Sequence, residues 1–480
     1  MKNKLIAIFI SLLGQQTMAQ NVGIGTVTPA EKLHVIGNIK TDTVKINAIK
    51  LTPNAGTGKL LTSDATGNAS WQNGNPAPGS VGFGTWGDCS SNNISEYNPV
   101  ADVNGIDGDH LGQAVAISGN FAIIGAYQSA VGVNNAQGSA SIYQYDGTNW
   151  VFMQKLTDAT GAANDNFGYS VSISGNYAIV GANMDDVGAN ANQGSASIYQ
   201  YNGSSWVLMQ KMIDANGAAN DYFGYAVSIS GNYVIIGSLQ DDIGANADQG
   251  SATIFQYNGS SWVLMQKITD ASGAAGDEFG NSVSISGTRA VVGAYQDDVG
   301  ANNSQGSASI YQYSAGTWIL MQKITDANGA SADYFGNSVS ISGGNLIIGA
   351  VFSDASGAFN GGAASIYEFA RGVWGLRQKI IDPASIFNTY FGCSVSISGN
   401  YALVGAYSSN TGPVTNIGHC ILYIHVGSGW QKNQYITDPG GESFDFMGTA
   451  TGIDGATKQF VIGSPGFTNQ TGKAMFGKIN

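Results

Sequence analysis

Aspartate recurs in this chain at fixed distances from a repeating glycine. Asp102, Asp158, Asp214, Asp270, Asp326, Asp382 and Asp438 each precede that glycine by ten residues. Asp109, Asp165, Asp221, Asp277, Asp333 and Asp445 precede it by three, and Thr389 holds the remaining place. The fullest version reads Asp214-Ala-Asn216-Gly217-Ala-Ala-Asn220-Asp221. Oxygen ligands around a glycine turn can hold Ca2+. The candidate calcium ligands are therefore Asp158, Asp165, Asp214, Asn216, Asp221, Asp270, Asp277, Asp326, Asn328 and Asp333. The simpler chemistry is that Asp and Asn side chains accept hydrogen bonds from loop N–H groups. No run has a dense carboxylate spacing, so this second reading carries more weight. No cofactor is expected, and calcium is the one that the spacing would admit.

A second acidic feature is narrower. Asp185-Asp186, Asp241-Asp242 and Asp297-Asp298 occupy one loop position in three successive repeats. Like charges held together raise each other's cost of ionisation, and a cation or a basic partner relieves it. These six are the candidate ligand-binding residues, and solubilising charge is the competing role. Catalysis finds little support. His34, His110, His419 and His425 have no metal-ligand spacing, and no nucleophile elbow, zinc motif or phosphate loop is present. No catalytic residue is assigned.

The elements that must position these carboxylates come from a repeat. Gly112, Gly168, Gly224, Gly280, Gly336, Gly392 and Gly448 are spaced by 56 residues, and Trp150, Trp206, Trp262, Trp318, Trp374 and Trp430 each lie 38 residues after one of the first six. One repeat, residues 168–223, contains four short runs rich in β-branched and aromatic residues: SVSIS, YAIVGA, GSASIYQY and WVLMQKMI. Ser-Gly-Asn and Asn-Gly-Ser-Ser separate the outer pairs, as tight hairpin turns require. The unit is a four-stranded antiparallel meander, and the tryptophans read as packing between neighbouring units. Seven meanders predict an all-β fold, a seven-bladed β-propeller over 94–480. After Gly448 only three strands remain, while Ile94–Ala101 is an orphan strand in register with the fourth. The orphan should complete the last blade, close the ring and remove two sheet edges. In such a ring both aspartate sets emerge on one face, and the opposite face carries nearly uncharged turns.

The rest of the chain is less regular. Residues 1–19 read as a cleaved signal peptide, with Lys2 and Lys4 before the apolar run Leu5–Leu13. Residues 20–71 form a β-rich stalk-like segment and 72–93 a linker. No later run is long and apolar enough to span a bilayer as a helix. The protein is expected to be secreted or cell-surface. The net charge is −13, and −15 without Lys2 and Lys4. That balance disfavours nucleic acid and anionic membranes and suits cations or basic partners. Cys89, Cys393 and Cys420 read as reduced packing residues.

Phe167-Gly168 with Gly181-Ala182, Phe279-Gly280 with Gly293-Ala294, Phe335-Gly336 with Gly349-Ala350 and Phe391-Gly392 with Gly405-Ala406 resemble FG-GAP repeats, the unit of the integrin α-chain propeller and of many exported bacterial proteins. The resemblance covers 94–480 and implies adhesion or ligand binding, with an extracellular protein or glycan as partner. Integrin-type units carry a calcium loop between their first two strands. Here that loop is only Ser-Gly-Asn, so the family's calcium site does not transfer. Val22-Gly23-Ile24-Gly25-Thr26 and Gly58-Lys59-Leu60-Leu61-Thr62-Ser63-Asp64 resemble stalks of tail-fibre-like surface proteins, which implies a trimer through that segment. The leading reading is a non-enzymatic binding or adhesion protein. The alternatives are a carbohydrate- or lipid-active enzyme on a propeller scaffold and a structural surface stalk.

Overall fold

The computed structural model of the chain describes residues 22–24, 33–35, 59–63, 69–73 and 94–480 without 103–104, 386, 411–414, 428 and 439. The readings of 1–19, of most of 20–93 and of Cys89 lie outside these residues. The chain divides into two units, 1–89 and 90–480. In the first, Val22–Ile24 pairs in parallel with Leu33–Val35, and Lys59–Ser63 pairs antiparallel with Ala69–Asn73.

The second unit is a ring of seven four-stranded antiparallel sheets. Blade two shows the order from the axis outward: Phe167–Ser174, Tyr177–Ala182, Ser195–Tyr201 and Trp206–Met212. The Gly175 turn has a φ of +57°, as its tight hairpin demands. The Asn202 side chain closes the outer hairpin by accepting the N–H groups of Ser204 and Ser205. The last blade takes Ala450–Asp454, Gln459–Ser464 and Lys473–Ile479 from the C-terminus and Ile94–Val100 from the other end. That strand pairs antiparallel with Lys473–Ile479, from Val100 opposite Ala474 to Ile94 opposite Ile479.

Seven hydrophobic clusters fill the seams between blades. The repeated Phe-Gly is a seam device. Phe279 is 1% exposed and lies in the seam cluster between blades three and four. Gly280 donates its N–H to Gly293 O of its own blade at 2.9 Å, and a Cβ on Gly237 of blade three would lie 2.0 Å from Gly280 O. Only glycine lets these two backbones meet. The tryptophans also bridge seams. Trp262 is 2% exposed and meets Tyr177 of the preceding blade edge-on at 5.7 Å. Its main chain is clasped by Gln210 of that blade, at 3.0 Å through both N–H and C=O. Trp262→Ala is expected to cost about 3–5 kcal/mol, read by urea unfolding. A stable, folded variant would remove the packing assignment.

Around the axis the first strands line a cavity of about 400 Å3, with wall residues from Val115 to Asp454. Serine hydroxyls tie these strands together: Ser172 accepts the N–H of Ile229, Ser228 that of Ile285 and Ser284 that of Ile341.

Candidate functional site

Each loop from the second to the third strand touches the junction that leads into the next blade. Gln193 donates to Asp214 O at 2.6 Å, and Asn190 donates to Gly217 O at 3.0 Å. Asn134 with Gln137, Asn246 with Gln249 and Asn302 with Gln305 repeat this clasp. Both loop sets therefore share one face, here called the junction face. The opposite face is not free of charge, because its turns expose Arg371, Lys458 and Asp146.

The junction aspartates meet a lysine that the sequence reading passed over. It stands five residues after each of the first five tryptophans. Lys211 Nζ lies 2.7 Å from Asp158 and 2.6 Å from Asp185. Lys323 lies 2.6 Å from both Asp270 and Asp297. Lys267 joins Asp214, at 2.9 Å, to Asp241. Lys155 pairs with Asp102 at 2.8 Å and Lys379 with Asp326 at 2.6 Å, and Ser129 and Ser353 stand where blades two to four have Asp185, Asp241 and Asp297. In blade seven Lys473 comes from the third strand instead and pairs with Asp438.

This corrects the grouping of Asp185, Asp186, Asp241, Asp242, Asp297 and Asp298 as one exposed set. Asp185, Asp241 and Asp297 are each 5% exposed and held by lysine. Alternation at the strand exit turns them inward. Asp186, Asp242 and Asp298 are exposed, and each caps a loop N–H, of Asn192, Asp248 and Ser304. Asp354 does the same in blade five, capping Asn360.

The candidate calcium oxygens are occupied in the same way. Asp158 accepts from Thr160 and Lys211, Asp270 from Ser272 and Lys323. Asp165, Asp221, Asp277 and Asp333 accept the N–H groups of Ala162, Ala218, Ala274 and Ala330. Asn216 and Asn328 give their N–H groups to Asp214 and Asp326, and their side chains are exposed. Ca2+ needs six to eight oxygens at about 2.3–2.6 Å. With an ammonium already between the carboxylates, these residues do not fit that ion. Among the described residues no three Asp, Glu, His or Cys side chains are grouped to hold a metal.

The stations make stability depend on pH. Burial raises the carboxyls of Asp165 and Asp221 to about 6, helped by Asp185 and Asp158 at one and by Asp241 and Asp214 at the other. Burial would also raise Asp158, but its lysine and its N–H and O–H donors outweigh burial and hold it low. A raised carboxyl binds its proton more tightly folded than unfolded. Stability therefore increases as pH falls from about 6 toward about 4, and is lost below that as Asp158 and Asp270 protonate. Tm should be higher at about pH 5 than at about pH 7. Asp165→Asn with Asp221→Asn should reduce that rise, which the raised carboxyls of Asp109, Asp277, Asp333 and Asp445 share, and an unchanged profile in the double variant would refute the assignment.

The sequence reading also missed the aromatic lining of the junction face. The residue two before each repeated glycine has a left-handed backbone: His110, Asn166, Tyr222, Glu278, Tyr334, Tyr390 and Phe446, with φ between 54° and 59°. Bulky residues adopt this conformation at a cost, and such strain gathers at functional sites. With Tyr127, Tyr169, Tyr225, Tyr295, Phe352 and Tyr407 most of these rings form two half-buried arcs. One runs from His110 through Tyr127 and Tyr169 to Tyr225, at 5.4, 5.6 and 5.0 Å. The other runs from Tyr295 through Tyr334, Phe352 and Tyr390 to Tyr407, at 5.1, 4.9, 5.3 and 5.2 Å. Glu278 stands between the arcs, and burial, helped by this carboxylate, raises the Tyr295 hydroxyl. Its Oε2 is buried with no hydrogen-bond partner. Tyr222, Tyr334 and Tyr390 precede the Phe-Gly pairs in the sequence, so a signal was present. It looked like part of the packing motif.

No curated protein matches this chain. The sequence profile of the FG-GAP repeat matches residues 100–143, 150–199, 206–255, 262–311, 318–367 and 374–419. Five of the six matches run from the fourth strand of one blade into the third strand of the next, the last reaching only its first residue, so the family unit spans a seam. They cover more than half of the chain and fall on the strands, glycines and aromatics that build the ring, and the protein therefore belongs to the FG-GAP repeat family.

Proposed function

We propose that this is an exported, non-enzymatic binding or adhesion protein that engages an extracellular partner through the junction face. The observation that carries the reading is a coincidence on one surface. Asp186, Asp242, Asp298 and Asp354 project there from four successive blades, outside every ion pair among the described residues. The aromatic arcs lie on the same face. Exposed carboxylates beside half-buried rings suit a partner that presents cationic groups, since aromatic faces and carboxylates both attract them.

The test is retention of hexalysine, of a glycan array and of phosphatidylcholine vesicles by the mature chain. Hexalysine should bind, weaken as salt rises from about 50 to about 500 mM, and bind at least about tenfold more weakly to the D186N/D242N/D298N/D354N variant. Undiminished binding by that variant would overturn the assignment, and product release from a glycan or lipid would favour an enzyme. The reading needs no resident calcium. Adding EDTA should leave Tm within about 1 °C, and a rise of several degrees with added Ca2+ would contradict it.

A further inference from the structure

We propose that blade six carries a proton-operated latch, in which the His419 imidazole holds the junction loop at Asp382 against the third strand and releases it as pH rises. Blades one to five anchor this loop with lysine on the fourth strand. In blade six that place is Tyr435, and the cation comes from His419, where blades one to four have Ser139, Ser195, Ser251 and Ser307. His419 is 6% exposed and Asp382 1%. His419 Nε2 lies 3.2 Å from Asp382 Oδ2, and Nδ1 lies 2.6 Å from Ser409 Oγ. The Tyr435 hydroxyl donates to Asp382 Oδ1 at 2.7 Å, and its ring meets the imidazole at 5.3 Å. Asp382 from the loop and Tyr435 from the fourth strand are the titratable groups facing the imidazole. The carboxylate three before the glycine is replaced by Thr389, which bonds Ser385.

An ammonium keeps its charge across the physiological range, whereas an imidazole changes charge between about pH 5 and 8. Protonated, His419 sets a positive charge against Asp382 and donates from Nδ1 to Ser409. Unprotonated, one nitrogen donates and the buried carboxylate loses its counter-charge. The loop is also tied to the preceding one by Asn360, which donates to Asn388 Oδ1, and by Ser385, which donates to Gly361 O. Gly361 replaces the glutamine that clasps the equivalent loops after blades one to four.

This loop supplies two rings to the junction face. Phe387 is 58% exposed and stacks at 5.6 Å on the equally exposed Phe359. Tyr390 stacks on Tyr407 within the second arc. A consequence for binding rests on the contact role proposed above, whereas the latch does not.

Hydrogen exchange reads the latch directly. The N–H groups of Asn388, Tyr390 and Phe391 bond Phe359, Asn360 and Gly361. Those of Asn164, Asn166 and Phe167 make the same bonds at a lysine station. After correction for intrinsic rates, protection at the first set should fall about tenfold from about pH 5.5 to about pH 8.5 relative to the second. His419→Ser with Tyr435→Lys rebuilds the lysine station and should abolish the difference. His419→Gln, neutral throughout, should show the loosened level at both pH values. Equal pH response at both loops, or a response that survives either variant, overturns the latch. Loop release without any change in hexalysine binding would keep the latch and remove this loop from the contact surface.

Discussion

Deleting residues 1–101 is expected to destabilise the ring by roughly 5 kcal/mol or more, whereas deleting 1–85 should leave Tm unchanged. The first deletion removes Ile94–Val100 and its six paired positions on Lys473–Ile479. It also bares a strand edge beside Phe476, which stacks at 4.4 Å on Trp150 in the seam between blades seven and one. An unpaired edge of that kind recruits other chains, so the shorter protein should aggregate on warming. A synthetic peptide spanning 94–101 should restore part of the lost stability by adding the strand in trans. Equal melting temperatures for the two truncations would show that the ring does not depend on this strand.

Lys267→Met should cost about 3–5 kcal/mol at neutral pH. The lysine is about one-third exposed, but the carboxylates it joins are not, at 11% for Asp214 and 7% for Asp241. Without the ammonium, Asp214 and Asp241 face each other beside Asp221, and the loss is that of buried, unbalanced charge rather than of a surface pair. The defect should therefore shrink as pH is lowered toward about 5, when a carboxyl of the trio takes up a proton. It should also shrink when Asp241→Asn is added. Urea unfolding of the three proteins at both pH values decides the matter. A cost under about 1 kcal/mol would mean that solvent screens the station.

Much of the architecture was legible because its causes are local. A strand of alternating residues, a Gly-Asn turn and a glycine that tolerates no Cβ can each be recognised within ten residues. The seven units, the tryptophan seams and the closing strand all followed from such marks, including Ile94 in tryptophan register. The shared face of the two loop sets followed as well, since it needs only the parity of strand directions.

The state of the carboxylates did not follow. Lys211 is separated from Asp158 by 53 residues and from Asp185 by 26, and three strands must be in place before the three groups touch. Sequence spacing alone made Asp185 and Asp186 equivalent, whereas the fold buries one and exposes the other. The same holds for the cation's source, which moves from the fourth strand to the third in blades six and seven without any local sign. The sequence by itself determined the repeat, the number of blades and how the ring closes, because periodicity and turn chemistry act between near neighbours. Only the tertiary structure decided which aspartates are neutralised and which remain exposed, because charge pairing depends on distances that the closed ring sets.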